Sequence, residues 1–518
     1  MPQLGRTFLS IIHWSSSKSC RPGQCAVNSD ETMYRSRVKV ERVAEQLDPD
    51  PTRVITRFFG PGDEKRLRGI IDRIRALDRS EVSELVSSLR RSFQKRHPDL
   101  ALIAKSNYDA VKYLISDEGS LEKKRRLLIG AYFTMEYAIE SAALFNPSMV
   151  PAIVQDGADV GTTRFVLSLR AIGEGHISSA VFRRGTIDRD NRIRIEPVSQ
   201  YSRRLHVVEN REFEKQTYQK RLIEIGAVGT FTDEVLQYLD ESFNFVELKL
   251  AIDAVWESHE YALSNSETVD KMIALSRANY DLSMPDLDDP SEFVIFPNSD
   301  AESHGIEDMR LVQFRADDGG ICYYGVYTAY DGSNIIPQIL ESTGFHTAKI
   351  RMLGGRYALN KGMALFPRKV DGRYLMLGRL DNENLFLLRS DDVLFWDEAE
   401  LLLKPKFSWE IIQIGNCGSP IETESGWLVL THGVGPMRQY SIGAVLLDRD
   451  DPSRVIGRLP EPLLVPLEDE SVGYVPNVVY SCGGMIHNDK LVIPYAISDR
   501  STTFALVSLP ELLAELTR

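Results

Sequence analysis

The chain has 518 residues, 43% hydrophobic and 26% charged, with a formal net charge of -13. That length allows two to four domains, or one large repeat fold with an addition. Acidic and basic residues are interspersed, which excludes a general nucleic-acid binder that relies on phosphate neutralisation, and no stretch reaches the apolar length of a membrane-spanning helix.

The first 32 residues contain Arg6 and the short apolar run Phe8-Leu9-Ser10-Ile11-Ile12, then serines and Lys18. The run is too brief for a secretory core, so residues 1–32 are expected to be a disordered leader or an over-long translation start. The five cysteines, Cys20, Cys25, Cys322, Cys417 and Cys482, form no even framework, and all are expected to be reduced thiols in a cytoplasmic protein. Cys20 and Cys25 have no second pair to make a metal site. No metal or organic cofactor is expected.

From Pro61 to Phe145 apolar residues recur at helical spacing, as in Leu67, Ile70, Ile71, Ile74 and again in Val82, Leu85, Val86, Leu89. This predicts an N-terminal helical domain over residues 33–144. Its basic run Lys123-Lys124-Arg125-Arg126 leads straight into an apolar helical stretch and reads as a solvated face. From Phe145-Asn146-Pro147 onward the texture becomes short runs of Val, Ile, Phe and Tyr between Gly and Asn/Asp turns, the pattern of antiparallel sheet. A helical insertion interrupts it at about 209–283, with Phe245, Leu248, Ile252, Val255 and Met272.

Five segments of the β part align: Arg164–Arg170, Ile321–Tyr327, Arg373–Arg379, Gly426–His432 and Asp489–Tyr495. Each ends in a large polar side chain, and the spacing suits one four-stranded propeller blade per repeat. The fold class predicted is mainly β: a five-bladed propeller over residues 145–518, with the helical domain and insertion as additions. In such a ring Arg170, Tyr327, Arg379, His432 and Tyr495 would line one polar pocket.

The candidate reacting centre is Ser303-His304-Gly305-Ile306-Glu307-Asp308-Met309-Arg310. Neighbours on an extended strand face opposite ways, so Glu307 and Asp308 are expected not to share a cleft. A carboxyl held among apolar groups would keep its proton and serve as an acid. Taken alone, the motif also reads as a surface ion pair of Glu307 with Arg310.

Taken together, the motifs Phe145-Asn146-Pro147, Gly173–Ser179, Gly305–Arg310, Asn360–Pro367, Gly426-Trp427-Leu428, His432-Gly433-Val434 and Gly473–Val478 resemble glycoside hydrolase family 130. This family comprises β-mannoside phosphorylases and β-mannosidases built on a five-bladed propeller. The likeness spans 145–509 apart from the insertion. It implies an inverting enzyme acting on β-mannoside oligosaccharides, with Asp308 as proton donor working through a sugar hydroxyl. Its other implied contacts are Asn146, Arg170, Arg310, Lys361, Arg379, His432, Tyr440 and Asn477. A phosphorylase needs converging cations for phosphate, whereas a hydrolase needs a carboxylate to activate water. Leu359 and Glu422 stand where the phosphorylase pattern has cations, and Met309 replaces a Pro. With Glu422 and Glu470 as candidate bases, transfer to water is expected slightly ahead of transfer to phosphate. A non-catalytic sugar-binding propeller is the reading from a different class. The helical additions offer surfaces for a homo-oligomer.

Overall fold

The structure is a computed structural model that describes residues 37–116, 119, 121–208, 211–258, 265–283 and 289–518; the expected leader, with Cys20 and Cys25, lies outside them. The fold is mainly β. The first sheet runs through Ala143–Pro151, Thr163–Ile172, Ser178–Ile187 and Ile193–Ile195, each antiparallel to the next. The second comprises Gly305–Arg315, Ile321–Tyr330, Ile335–Ser342 and Thr347–Met352, extended at its outer edge by Tyr280–Ser283. One parallel pair, Gly305 with Ser178, ties these two inner regions together. Gly305 sits at φ +138, and a Cβ there would lie 2.3 Å from the Ser178 hydroxyl. Only glycine permits that approach.

A four-stranded sheet follows, through Ala364–Leu365, Tyr374–Gly378, Leu385–Ser390 and Glu398–Leu403. In the next sheet, Gln413–Asn416 and Ile421–Thr423 both pair with Gly426–Val434, which is followed by Tyr440–Leu447 and Val455–Arg458. The last sheet pairs Lys490–Ile497 with Ser501–Ser508. Each aligned repeat overlaps the strand Thr163–Ile172, Ile321–Tyr330, Tyr374–Gly378, Gly426–Val434 or Lys490–Ile497.

These strands are covered on both faces, which is why they read as continuous apolar runs. In Gly426–Val434, Trp427 and Val429 pack with Leu375, Leu377 and Leu387 of the preceding sheet. The alternate residues Leu428 and Leu430 pack with Leu491, Ile493 and Ala505 of the following one. Val166 and Phe182 meet Leu311 and Tyr323, and Val312 and Phe314 meet Leu365 and Met376. Leu167 and Leu169 of the first sheet meet Val492, Phe504 and Leu506 of the last.

Helices α1 (Glu64–Ala76), α2 (Arg79–Phe93), α3 (Leu100–Val111) and α4 (Lys123–Tyr132) share an apolar cluster with Phe133. Asp78 caps α2 in a reciprocal box with Glu81. Residues 33–144 are not wholly helical as expected. Val40–Leu47 is a strand on the outer edge of the last sheet, paired with Ser501–Ser508. Val54–Phe58 pairs with Thr134–Ala138. In this strand Val40, Val43, Ala44 and Leu47 recur at i, i+3, i+4 and i+7, a helical spacing, and pairing with Ser501–Ser508 overrides it. The insertion holds α5 (Lys215–Glu224), α6 (Thr230–Gln237), α7 (Phe245–Ser258) and α8 (Ser266–Arg277) around their own apolar cluster. Among the described residues no helix is long and apolar enough to cross a membrane.

Candidate active site

The site begins with two irregular strands. Pairing slips between Glu307 and Arg310, and Asp308 takes φ 53. In the adjacent sheet pairing slips between Phe145 and Ser148, and Asn146 takes φ 50. Asn and Asp tolerate this left-handed region better than other non-glycine residues, and a bulge re-aims the side chains it carries. The Asn146 amide consequently donates to Asp308 Oδ1 at 2.7 Å.

The bulge also overturns the expectation that Glu307 and Asp308 face apart. Arg170 reaches Glu307 Oε1 at 2.8 Å and Asp308 Oδ1 at 3.3 Å. Lys361 Nζ lies 2.5 Å from Glu307 Oε2. Arg310 is no surface partner of Glu307: it is 1% exposed and donates to the carbonyls of Cys417 and Asp308 and to the Tyr480 hydroxyl.

Burial pushes the Asp308 carboxyl up, but Arg170, Arg310 and Lys361 together outweigh it and hold the group down at about 2. The expectation of an acid kept neutral by apolar neighbours is therefore corrected for the free protein. The neighbour shifted the other way is Asp499, which sequence reasoning missed. Burial and the Asp308 charge raise it to about 7 against the pull of Arg170 and Arg438.

On the far side, Arg379 and His432 lie side by side. A Cβ at Gly415 would fall 2.4 Å from Arg379 Cδ and 2.6 Å from His432 Cε1, so glycine makes room for both. With the Gln413 amide oxygen turned inward, it accepts from Arg379 at 2.5 Å and His432 at 3.2 Å. Burial, then Arg379 and Arg310, hold His432 well below its usual range, so it is neutral. Its ring stacks on Tyr440 at 6.1 Å and meets Tyr480 edge-on at 4.9 Å. Asn477, at φ 62, accepts the Tyr440 backbone N–H through its carbonyl. Buried Nε atoms of Arg170 and Arg379 and the Asn146 Oδ1 have no hydrogen-bond partner among the described residues.

Four predicted residues are not brought to this cluster. Tyr327 donates to Glu302, a buried carboxylate that also takes the Tyr280 hydroxyl and the N–H groups of Asn298 and Ser299. Tyr495 donates to Glu470 at 2.7 Å, and Glu470 also accepts from Arg42 and the Leu467 N–H. Glu470 is thus a framework carboxylate. Glu422 is held by Arg368 at 2.6 Å and Arg449 at 3.4 Å. It pairs with Trp427, five residues from His432 on the same strand, roughly 17 Å at about 3.4 Å per residue. The carboxylates expected to activate water therefore do not share the Asp308 cluster. Among the described residues no group of His, Cys, Asp and Glu has the arrangement of a metal site.

Residues 265–518 match the family model of glycoside hydrolase family 130, described as beta-1,4-mannooligosaccharide phosphorylase. A 1,2-beta-oligomannan phosphorylase of Thermoanaerobacter sp. (strain X514) is 34% identical over 223 residues, which are 42% of this chain and 73% of that protein. A beta-1,2-mannobiose phosphorylase of Listeria innocua serovar 6a is 30% identical over 230 residues, 43% of this chain and 63% of that protein. The solved Listeria innocua beta-1,2-mannobiose phosphorylase, in complex with beta-1,2-mannobiose, aligns with a TM-score of 0.42 at 20% identity, covering 73% of this chain and 93% of that one. With relatives of this identity and coverage, the chain belongs to glycoside hydrolase family 130.

Proposed function

We propose that the protein is a β-mannoside phosphorylase, transferring a mannosyl group to inorganic phosphate with inversion. The observation that carries this reading is the charge balance around Asp308. Arg170, Arg310, Lys361, Arg379 and Arg438 stand against Glu307, Asp308 and a partly protonated Asp499. The surplus of positive charge suits a phosphate dianion, and the unpartnered Nε of Arg379 is a donor ready for its oxygens. The names of the relatives point the same way, to phosphate rather than water.

In this reading Arg379, His432 and Tyr440 receive phosphate, while Asn146, Arg170, Lys361 and Asn477 orient the sugar. Arg310 is a positioning residue that fixes the bulge at Asp308. A phosphate oxygen attacks the anomeric carbon as the glycosidic bond breaks. The leaving oxygen takes its proton from a sugar hydroxyl, which Asp308 reprotonates. The entering dianion offsets the cations that depress Asp308, so its proton affinity rises when phosphate binds.

The architecture we infer is a five-bladed propeller. The first two sheets count as separate blades joined by the Gly305–Ser178 pair, and apolar clusters fill five successive interfaces, the last returning to the first sheet. Its domain spans 145–518 and is completed by Val40–Leu47; α1–α4 and α5–α8 are additions. The free Cys322, Cys417 and Cys482 suit a cytoplasmic protein.

The test is incubation with β-1,2- and β-1,4-mannobiose, with and without phosphate. Mannose 1-phosphate in the α configuration is expected, and only with phosphate. Free mannose released at the same rate without phosphate would overturn the proposal.

A further inference from the structure

A second charged cleft lies between the N-terminal helices and the sheets, and it shares none of its lining residues with the Asp308 cluster. Its volume is about 530 Å³, within the range of small-molecule sites. Arg57, on Val54–Phe58, and Arg204, on the neighbouring strand Arg203–Arg204, both line it. Both guanidiniums converge on Phe296: the Arg57 Cζ lies 4.9 Å from its ring centre and the Arg204 Cζ 5.7 Å. Arg57 is also 4.9 Å from the Tyr137 ring. These rings fix where the two cations sit.

The other basic side chains in the cleft are already partnered. Arg96 and His97 hold Glu136 at 2.8 and 2.7 Å, and Arg203 holds Glu292 at 3.0 Å. Arg57 and Arg204 have no carboxylate within ion-pair distance among the described residues. Arg204 instead donates to the Pro297 carbonyl and to Asn298 Oδ1. The one carboxylate lining the cleft, Asp99, pairs with neither, and buried Glu302 acts on Arg204 only from a distance. Burial, with the nearby Arg57 charge adding to it, lowers Arg204 from its usual range. Two like charges partly withdrawn from water in this way are costly until an anion joins them.

We propose that this cleft is a binding site for a phosphorylated sugar, with Arg57 and Arg204 gripping the phosphate group. Two guanidinium forks match the two charges and several oxygens of a phosphate monoester, whereas a single carboxylate would leave one fork unused. Ser106, Asn107, Tyr201, Ser202 and Asn298 line the remaining wall with hydroxyl and amide groups, which suit sugar hydroxyls. The inference is independent of the reaction proposed at Asp308.

The test is calorimetric titration of the full chain carrying Arg379→Ala, which weakens the phosphate contact at the Asp308 cluster, with mannose 1-phosphate, glucose 6-phosphate, inorganic phosphate and AMP. Saturable binding of a hexose phosphate is expected, at least tenfold weaker once Arg57→Met and Arg204→Met are added. Those two substitutions in the otherwise native chain should leave turnover unchanged. Binding that survives both, or tighter binding of AMP or of inorganic phosphate than of the sugar esters, overturns the proposal. Phenylglyoxal modification of the native chain gives a readout that needs no variant: hexose phosphate should protect Arg57 and Arg204, and unprotected labelling of both overturns the proposal equally.

Discussion

Replacing Asp499 by Asn exchanges a titrating carboxyl for a neutral group of the same shape. In the folded protein the carboxyl titrates at about 7, against 3.8 as the ordinary value. At ~1.4 kcal/mol per unit, the three-unit rise corresponds to about 4 kcal/mol, and solvent contact at this partly exposed side chain brings it to about 2–4 kcal/mol. The sign follows from proton counting. Between pH 4 and 7 the native state keeps a proton that the unfolded chain has released, so this group's contribution to stability falls as pH rises and levels off above 7. Asp499→Asn has no such dependence. Urea-unfolding midpoints measured from pH 4 to 9 should nearly coincide for the two proteins at the acid end, and the variant should gain steadily up to pH 7. A gap that is constant with pH, or that narrows as pH rises, would refute the account of Asp308 and Asp499 as interacting charges.

Asp308→Asn should abolish turnover and lower the unfolding free energy by about 3–5 kcal/mol, because it takes an attractive partner from Arg170, Arg310 and Lys361 and leaves buried cations uncompensated; full activity, read as mannose 1-phosphate release, would remove the acid role. Glu422→Gln and Glu470→Gln should retain catalytic turnover in whatever fraction stays folded; a thousandfold fall in kcat with unchanged circular dichroism would restore one of them as a base. Tyr327→Phe leaves the buried Glu302 short of one donor and should cost about 1–3 kcal/mol in denaturant melts, with kcat unaffected.

The inner cluster was legible where identity and repeat position agreed. Arg170, Arg379 and His432 end equivalent repeat segments, and all three converge. Tyr327 and Tyr495 occupy the same position but bond to Glu302 and Glu470, because a phenol at a strand end can serve a framework carboxylate as readily as a substrate. Period-two reasoning failed at Asp308 because a single bulge reverses which face a side chain meets. A left-handed Asn or Asp recurs at Asn146, Asp308, Asn360 and Asn477, a backbone feature that the residue types alone do not show. Asp499 was missed because it reads as an ordinary turn residue after Ile497-Ser498. The charge balance was not legible at all, since it depends on Arg310 from a strand, Lys361 from a loop and Arg438 from a 3-10 turn arriving together from distant parts of the chain.

Thr503 donates to the carbonyl of Val43 across 460 residues of chain, in the sheet where Val40–Leu47 meets Ser501–Ser508. During translation at about 5–20 residues per second, the early strand waits roughly half a minute to a minute and a half for its partner to emerge. For that interval its backbone edge is open to any passing extended peptide. Nascent copies on one message therefore share a window for exchanging this strand, and slowing elongation would lengthen it.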